Sequence, residues 1–411
     1  MSVKIVTPLR RSIPVVPAIH QALRRGVEDE VFPGGAAAVF HRGKLVHLSA
    51  TGESHSVPEH AKLLPDAVFD LASLTKVVAT TPAVALLVGR KQLDLDDPVV
   101  RYWPEFGRGG KKAVTVRQLL AHCSGLPAWK PFFLDVMADP GGAPLFRDPP
   151  PDFRARLAAC RRGRAMLYEA ICATKLERPP GSAAVYSDLG FIALGKVVEL
   201  VGSAPLDRFV AKEVFTELGL ASLGYRPLDE KTRKAPQLVA TGVYRPREPA
   251  PGQEAIVPSP AADAPPQLRL GEVDDDNAFA MGGVSGHAGL FGSAQDVAAY
   301  GNAILDELRG ASRLAPAATW QAFCEREGTP NSSRALGFDT PSGDQPAAGT
   351  KMAASRTVGH TGFTGTSLWI DCGRELCVAL LTNRVHPRRA NTRITLFRPA
   401  FHDAVVQALE S

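Results

Sequence analysis

Two apolar hairpin patterns near opposite ends of the chain constrain its fold more than any other feature. Residues 36–41 are small and apolar, turn at Arg42-Gly43, and continue into residues 44–48. Residues 366–371 turn at Cys372-Gly373-Arg374 into the apolar run 376–382. Apolar runs of strand length around a glycine turn read as β-hairpins. Helical apolar spacing precedes the first (Ile19, Leu23, Val27), and residues 397–409 read as a closing helix after the second. An α+β fold fits this order: an antiparallel sheet built from both chain ends, flanked by helices, with a mainly helical lobe inserted. The boundaries place the sheet domain at 1–100 and 285–411, and the inserted lobe at 101–284.

Within the middle, residues 73–88 read as a long helix that Gly89 ends. Pro82 is expected to kink it or to end a first segment near Thr81. Thr115 is placed to cap another helix, and residues 191–201 show a nearly continuous apolar face closed by Gly202. From 227 to 276 prolines accumulate (Pro246, Pro249, Pro251, Pro258, Pro260, Pro265, Pro266). That composition reads as a long surface excursion, a lid or a mobile loop.

The 411 residues are 45% hydrophobic and 22% charged with a net charge of +5, an ordinary globular balance. Arg161-Arg162 and Arg388-Arg389 are short clusters that read as solvated faces, so no nucleic-acid partner is expected. No apolar run is long enough to span a bilayer. Residues 1–16 hold Arg10 and Arg11 but lack a signal-peptide core, which predicts a cytoplasmic location. Six scattered cysteines without metal-ligand spacing read as reduced thiols, Cys372 and Cys377 included. His-Glu-x-x-His is absent and Asp274-Asp275-Asp276 lacks calcium-loop spacing, so no metal or cofactor is expected. Residues 190–197 nearly spell a P-loop, but Val197 stands where Ser or Thr is required.

Chemistry concentrates in four segments. Ser73 and Lys76 lie three residues apart, so on a helix the ammonium sits beside the hydroxyl. Tyr186 follows Pro180-Gly181 on a turn before a helix. His360-Thr361-Gly362 lies in a glycine-rich run immediately before a strand, where a missing side chain lets a substrate backbone approach the strand edge. A small-residue run spans 281–291, and its His287 reads as a packing residue, as does His122.

In order and spacing these resemble the serine β-lactamase and penicillin-binding-protein superfamily, particularly the class C β-lactamases and their relatives. The pairs Ser73–Lys76, Tyr186–Asp188 and His360–Gly362 match that family's Ser-x-x-Lys, Tyr-x-Asn and His-Thr-Gly. Residues 122–126 and 286–291 resemble further family segments, the latter of a penicillin-binding-protein-4B-like branch. The resemblance implies Ser73 as acyl nucleophile, with Lys76 and Tyr186 sharing the base work and an ammonium beside the phenol favouring phenolate. It implies an oxyanion hole from the backbone N–H groups of Ser73 and Phe363. It further implies that Asp188, His360, Thr361, Gly362 and Phe363 line the substrate. His360 is expected to face a substrate carboxylate or orient Tyr186, and to be partly charged near neutrality, so that any grip weakens as pH rises.

Asp188 replaces the commoner asparagine. It reads equally as a helix-start residue and as a carboxylate that keeps Lys76 protonated. The expected function is a serine hydrolase of esters or amides, with small-molecule or peptide substrates and esterase, D-amino-acid peptidase or β-lactamase activity. The alternative is a non-catalytic penicillin-binding or assembly protein of the same fold.

Overall fold

The computed structural model describes residues 13–147, 152–228, 235–244, 247–257, 259, 266–330, 332–352 and 356–411. Arg10, Arg11, Pro246, Pro258, Pro260 and Pro265 lie outside the described residues. The hairpins at the two chain ends meet in one sheet, as the sequence pattern predicts. Strands β1 (Gly34–His41), β2 (Lys44–His55), β3 (Ala61–Lys62), β7 (Thr357–Thr361), β8 (Ser367–Asp371) and β9 (Leu376–Thr382) run in the order β3-β2-β1-β9-β8-β7. The seam is β1 against β9, antiparallel, with Ala36 opposite Leu381 and His41 opposite Leu376. Arg42 and Gly43 both take positive φ, at 50° and 77°, the left-handed pair that a tight hairpin needs.

Side-chain alternation divides the burial between two layers. Ala36, Ala38, Cys377, Ala379 and Leu381 face the main core, which includes helix α4 (Ala294–Leu308). Ala37, Val39, Val378 and Leu380 face a second core with Ile19 and Leu23 of α1 (Pro17–Glu28) and Phe401 and Val405 of α5 (Ile394–Glu410). A sheet covered on both faces explains why the strand patterns are nearly continuous in apolar residues. A smaller sheet joins β4 (Phe69–Asp70), β6 (Leu290–Gly292) and β5 (Gly224–Tyr225) in the order β4-β6-β5.

Two details refine the sequence reading. A first segment does end next to Thr81, as expected from Pro82, but helical backbone continues through the junction. A widened π turn over Lys76–Thr80, with the Thr81 N–H reaching the Lys76 carbonyl, runs directly into α2 (Thr81–Gly89). Proline lacks an N–H and crowds the carbonyl four residues back, so widening the preceding turn accommodates it. The second detail is that His360 and Thr361, expected immediately before a strand, belong to a strand of their own, β7, at the sheet edge. Gly359 permits that strand, since a Cβ there would come within 2.2 Å of the Leu368 carbonyl oxygen.

Helix α3 (Asp188–Gly202) is capped by Ser187, whose hydroxyl accepts the Gly190 N–H. Gly195 on α3 meets Gly286 so closely that a Cβ on Gly286 would lie 2.0 Å from the Phe191 carbonyl oxygen. That approach, with the Thr80 hydroxyl donating to the Gly286 carbonyl at 2.6 Å, seats residues 285–288 against the start of the Lys76 helix. All six cysteines are free thiols. Among the described residues no single helix is long and apolar enough to cross a membrane. Because Gly286 has no space for a methyl group, Gly286→Ala is expected to destabilise the fold by about 1–3 kcal/mol. Urea unfolding checks this, and an unchanged midpoint would contradict the tight contact.

Candidate active site

The chain leaves β4 at Asp70 and turns sharply into the helix carrying Lys76. Ala72 takes φ 48°, a left-handed conformation that a residue with a Cβ adopts at a cost. Its N–H donates to Asp70 Oδ1 at 2.9 Å, and Asp70 Oδ2 accepts the Asp274 N–H at 2.6 Å. Burial pushes the Asp70 carboxyl up to about 7, against those two N–H donors, which favour the carboxylate. The strained turn leaves Ser73 at the mouth of a cleft.

Around Ser73 Oγ, Tyr186 donates its hydroxyl hydrogen at 2.8 Å and Lys76 Nζ donates at 3.0 Å. Lys76 is fully buried, with Asp188 Oδ1 at 2.8 Å and the His287 carbonyl at 3.2 Å. Burial alone would pull the lysine pKa down. The Asp188 carboxylate, then Tyr186, outweigh it and hold the group above its ordinary range, as an ammonium. Asp188 is therefore both the first residue of α3 and the counter-ion of Lys76.

Tyr186 departs from expectation. Burial pushes its phenol above the ordinary range, and the Lys76 ammonium offsets this only in part. The resting residue is a neutral phenol that donates to Ser73, not a phenolate. The arrangement can pass the Ser73 proton to the Tyr186 oxygen once that oxygen has lost its own. The phenol ring is fixed by His122, 4.6 Å between ring centres, and by His360 at 5.6 Å. His122 accepts the Ser187 N–H on Nδ1, which fits the packing role expected of it.

His360 also differs from expectation. Its Nδ1 lies 2.6 Å from the Thr361 carbonyl, so that nitrogen carries the proton and donates. Burial, then the Arg334 guanidinium and the Lys76 ammonium, hold its pKa well below the ordinary value. The ring is neutral through the physiological range, so the charged carboxylate grip expected of it is not available. Packing against Tyr186 remains as its contribution.

On β7, the bonds from Cys372 to Arg356 and from Gly362 to Thr366 assign the even-numbered residues to β8. Gly359 and Thr361 then face the outer edge. Gly359 exchanges both backbone bonds with Asp339, and Thr361 is the next edge position toward the cleft. Gly362 has no room for a Cβ, which would lie 2.0 Å from Thr366 Oγ1 and 2.7 Å from the Leu71 carbonyl. The Thr364 hydroxyl donates to the Asp70 carbonyl and that of Thr366 to the Leu71 carbonyl, at 2.8 and 3.0 Å, tying the 362–366 loop to the nucleophile segment. Among the described residues neither the Ser73 N–H nor the Phe363 N–H has a protein acceptor, so both are available to a ligand oxygen.

The cleft holds about 230 Å³ and is lined by Ser73, Tyr186, Asp188, Trp129, Phe133 and Phe363 among others. Ala250, Gln253 and Val257 of the Pro-rich excursion form part of its wall. Its base is pinned by ion pairs of Arg247 and Arg389 with Asp274. Sequence reasoning missed Asp70, the His287 carbonyl and Arg334, none of which carries a local pattern. Asp188, Asp275 and His287 bring donor atoms within 4.8 Å of one another, near enough to hold a cation. Lys76 already occupies Asp188, however, and His287 Nε2 pairs with Asp275 at 2.9 Å.

The chain is similar to known proteins over most of its length. A "Putative D-alanyl-D-alanine carboxypeptidase" from Escherichia coli O157:H7 is 29% identical over 375 residues, covering 87% of this chain and 80% of that protein. An "N-acetylmuramyl-L-alanine amidase" from Bacillus subtilis (strain 168) is 30% identical over 382 residues, covering 86% and 78%. Among solved structures, "EstCE1, a hydrolase with promiscuous acyltransferase activity" aligns with a TM-score of 0.66 at 19% identity, covering 94% of this chain and 97% of that one. A penicillin-binding-protein homologue from Caulobacter crescentus gives 0.64 at 20% identity, covering 97% and 99%. These structural likenesses are of fold. The family model described as Beta-lactamase matches residues 19–398, nearly the whole chain. The chain therefore belongs to the beta-lactamase family and is a hydrolase of the serine β-lactamase fold.

Proposed function

We propose that the protein hydrolyses esters and amides through an acyl-enzyme on Ser73. The observation that carries this reading is Ser73 Oγ held between the Tyr186 hydroxyl and the Lys76 ammonium, at 2.8 and 3.0 Å. Tyr186 as phenolate takes the Ser73 proton while Oγ attacks the carbonyl carbon. The carbonyl oxygen gains the negative charge and is met by the N–H groups of Ser73 and Phe363. Collapse of that intermediate expels the alcohol or amine, which takes the proton from Tyr186. Water then attacks the acyl group, again losing its proton to Tyr186, and the acid and Ser73 are released. Asp188 keeps Lys76 charged throughout, so the lysine steadies Tyr186 rather than accepting the proton.

The neutral His360 bears on the substrate. A terminal carboxylate needs a cation, and Arg389 of the cleft wall and Arg334 beside the Tyr186 ring are already paired, with Asp274 at 3.1 Å and Asp339 at 3.6 Å respectively. Esters, amides and peptides whose group beyond the scissile bond is uncharged fit this environment. Relatives named carboxypeptidase and amidase support acyl transfer from amide substrates, D-amino-acid peptides among them.

Three outcomes are expected. Ser73→Ala should lower p-nitrophenyl butyrate hydrolysis by at least about 10³-fold, toward the residual level that binding alone supplies. Retained turnover in that variant would sink the mechanism. In the parent protein kcat/KM should climb about tenfold per pH unit from neutrality upward, because the phenolate fraction grows while pH lies below a raised pKa. Tyr186→Phe should erase that limb, and Asp188→Asn, which lets Lys76 lose its proton and so removes the ammonium that offsets burial of the phenol, should move it to higher pH. A flat profile in the parent speaks against Tyr186 as base. Finally, a peptide ending in D-Ala-D-Ala amide should be cleaved at least as well as its free acid. A strong preference for the acid would contradict the role given to neutral His360.

A further inference from the structure

Behind the loop that carries the Phe363 N–H lie two buried guanidinium groups. Arg398, on α5, donates from one nitrogen to the Gly362 carbonyl at 2.5 Å and the Thr366 carbonyl at 3.0 Å. Arg384 donates to the Phe363 carbonyl at 2.7 Å and, through its other arm, to the carbonyls of Arg389 and Asn391. Its guanidinium also lies 4.4 Å from the Phe363 ring centre. The two arginines are 8% and 5% exposed. Among the described residues neither has a carboxylate within ion-pair distance, although nearly every other buried charge at this site does. A buried cation without a counter-ion is costly, so backbone carbonyls alone are an unusual resting place for two of them.

The Gly362 carbonyl and the Phe363 N–H are the two ends of one peptide group. A guanidinium on the carbonyl oxygen draws electron density through the conjugated C–N bond and makes the N–H a stronger donor. The Thr366 carbonyl, which accepts the Gly362 N–H at 2.7 Å, is held by the same Arg398 nitrogen. Arg398 therefore fixes the loop from both sides of its turn, and Arg384 fixes the plane of the next peptide.

We propose that Arg398 is a positioning residue of the oxyanion hole, acting by polarising the Gly362–Phe363 peptide so that its N–H binds the oxyanion of the tetrahedral intermediate more tightly. The proposal rests on acylation at Ser73. It implies that positive charge is delivered to the developing oxyanion through one peptide group, without the cation touching substrate. Ground-state binding gains little from it, because the carbonyl oxygen of a bound ester carries little charge.

Steady-state hydrolysis of p-nitrophenyl butyrate and inhibition by phenylboronic acid test this in the parent, Arg398→Met and Arg398→Lys. The boronate forms a tetrahedral adduct on a serine oxygen and so reports on oxyanion stabilisation. Arg398→Met should lower kcat by about 10–100-fold, somewhat less than deleting a donor outright, with KM changed by no more than about threefold. Boronate affinity should fall by the same factor as kcat. Arg398→Lys keeps the charge but not the fork and should recover part of both losses. Unchanged kcat in Arg398→Met overturns the proposal, as does a loss of kcat with boronate affinity intact. Should Arg398→Met fail to fold, Arg398→Lys decides alone: kcat and boronate affinity must fall together, and their independence overturns the proposal. An active parent insensitive to boronate overturns it too, and a parent without Ser73-dependent turnover removes it together with the acyl-enzyme reading.

Discussion

A single buried ammonium organises this molecule. Lys76 is sealed from solvent, and its three donors reach Ser73 Oγ, the Asp188 carboxylate and the His287 carbonyl. Those partners come from the turn after β4, from the first residue of α3 and from the loop preceding β6. Separate parts of the chain must therefore arrive in register before the charge is satisfied. Removing the carboxylate from such a pair leaves an uncompensated buried cation, a loss on the order of 3–5 kcal/mol. The π turn at Lys76–Thr80 and the glycine-to-glycine contact of Gly195 with Gly286 both serve that convergence.

From this constraint follows the division of labour between lysine and tyrosine. An ammonium held by a carboxylate is a poor base, while a phenol beside it can be ionised with less penalty than burial alone would impose. In the proposed mechanism the resting site is thus protonated twice over, and reactivity is released by loss of one proton from Tyr186. The oxyanion loop is built with equal economy of contact. Thr364 and Thr366 fasten it to the nucleophile segment from one side, and Arg384 and Arg398 grip its carbonyls from the other.

Much of this was legible in the sequence because the relevant patterns are local. The end hairpins showed as apolar runs around glycine turns, and their union in one sheet fitted the order of hairpin, helical middle, hairpin and closing helix. Ser73 and Lys76 showed as one helical turn, and Thr115 as a cap that the structure completes with Gln118. What escaped was set by tertiary environment. The ionisation of Tyr186 depends on burial and Lys76, and that of His360 on burial and on Arg334, which lies 26 residues before His360 and whose guanidinium sits over the Tyr186 ring at 5.3 Å. Strand β7 was missed because its five residues include Gly359, which weakens any strand signal, and because its pairing with Asp339 is non-local. Pro82 marked the boundary near Thr81, but the π turn that absorbs it upstream is one no propensity predicts.

The central claim, a covalent acyl-enzyme on Ser73 supported by charged Lys76, is open to direct chemical trapping. Intact-mass spectrometry after incubation with a fluorophosphonate, followed by peptide mapping, should find one adduct per chain, located on Ser73. The same experiment on Asp188→Asn should label at a different rate but at the same residue. An adduct on another residue, or none on folded protein that turns over esters, would contradict the mechanism.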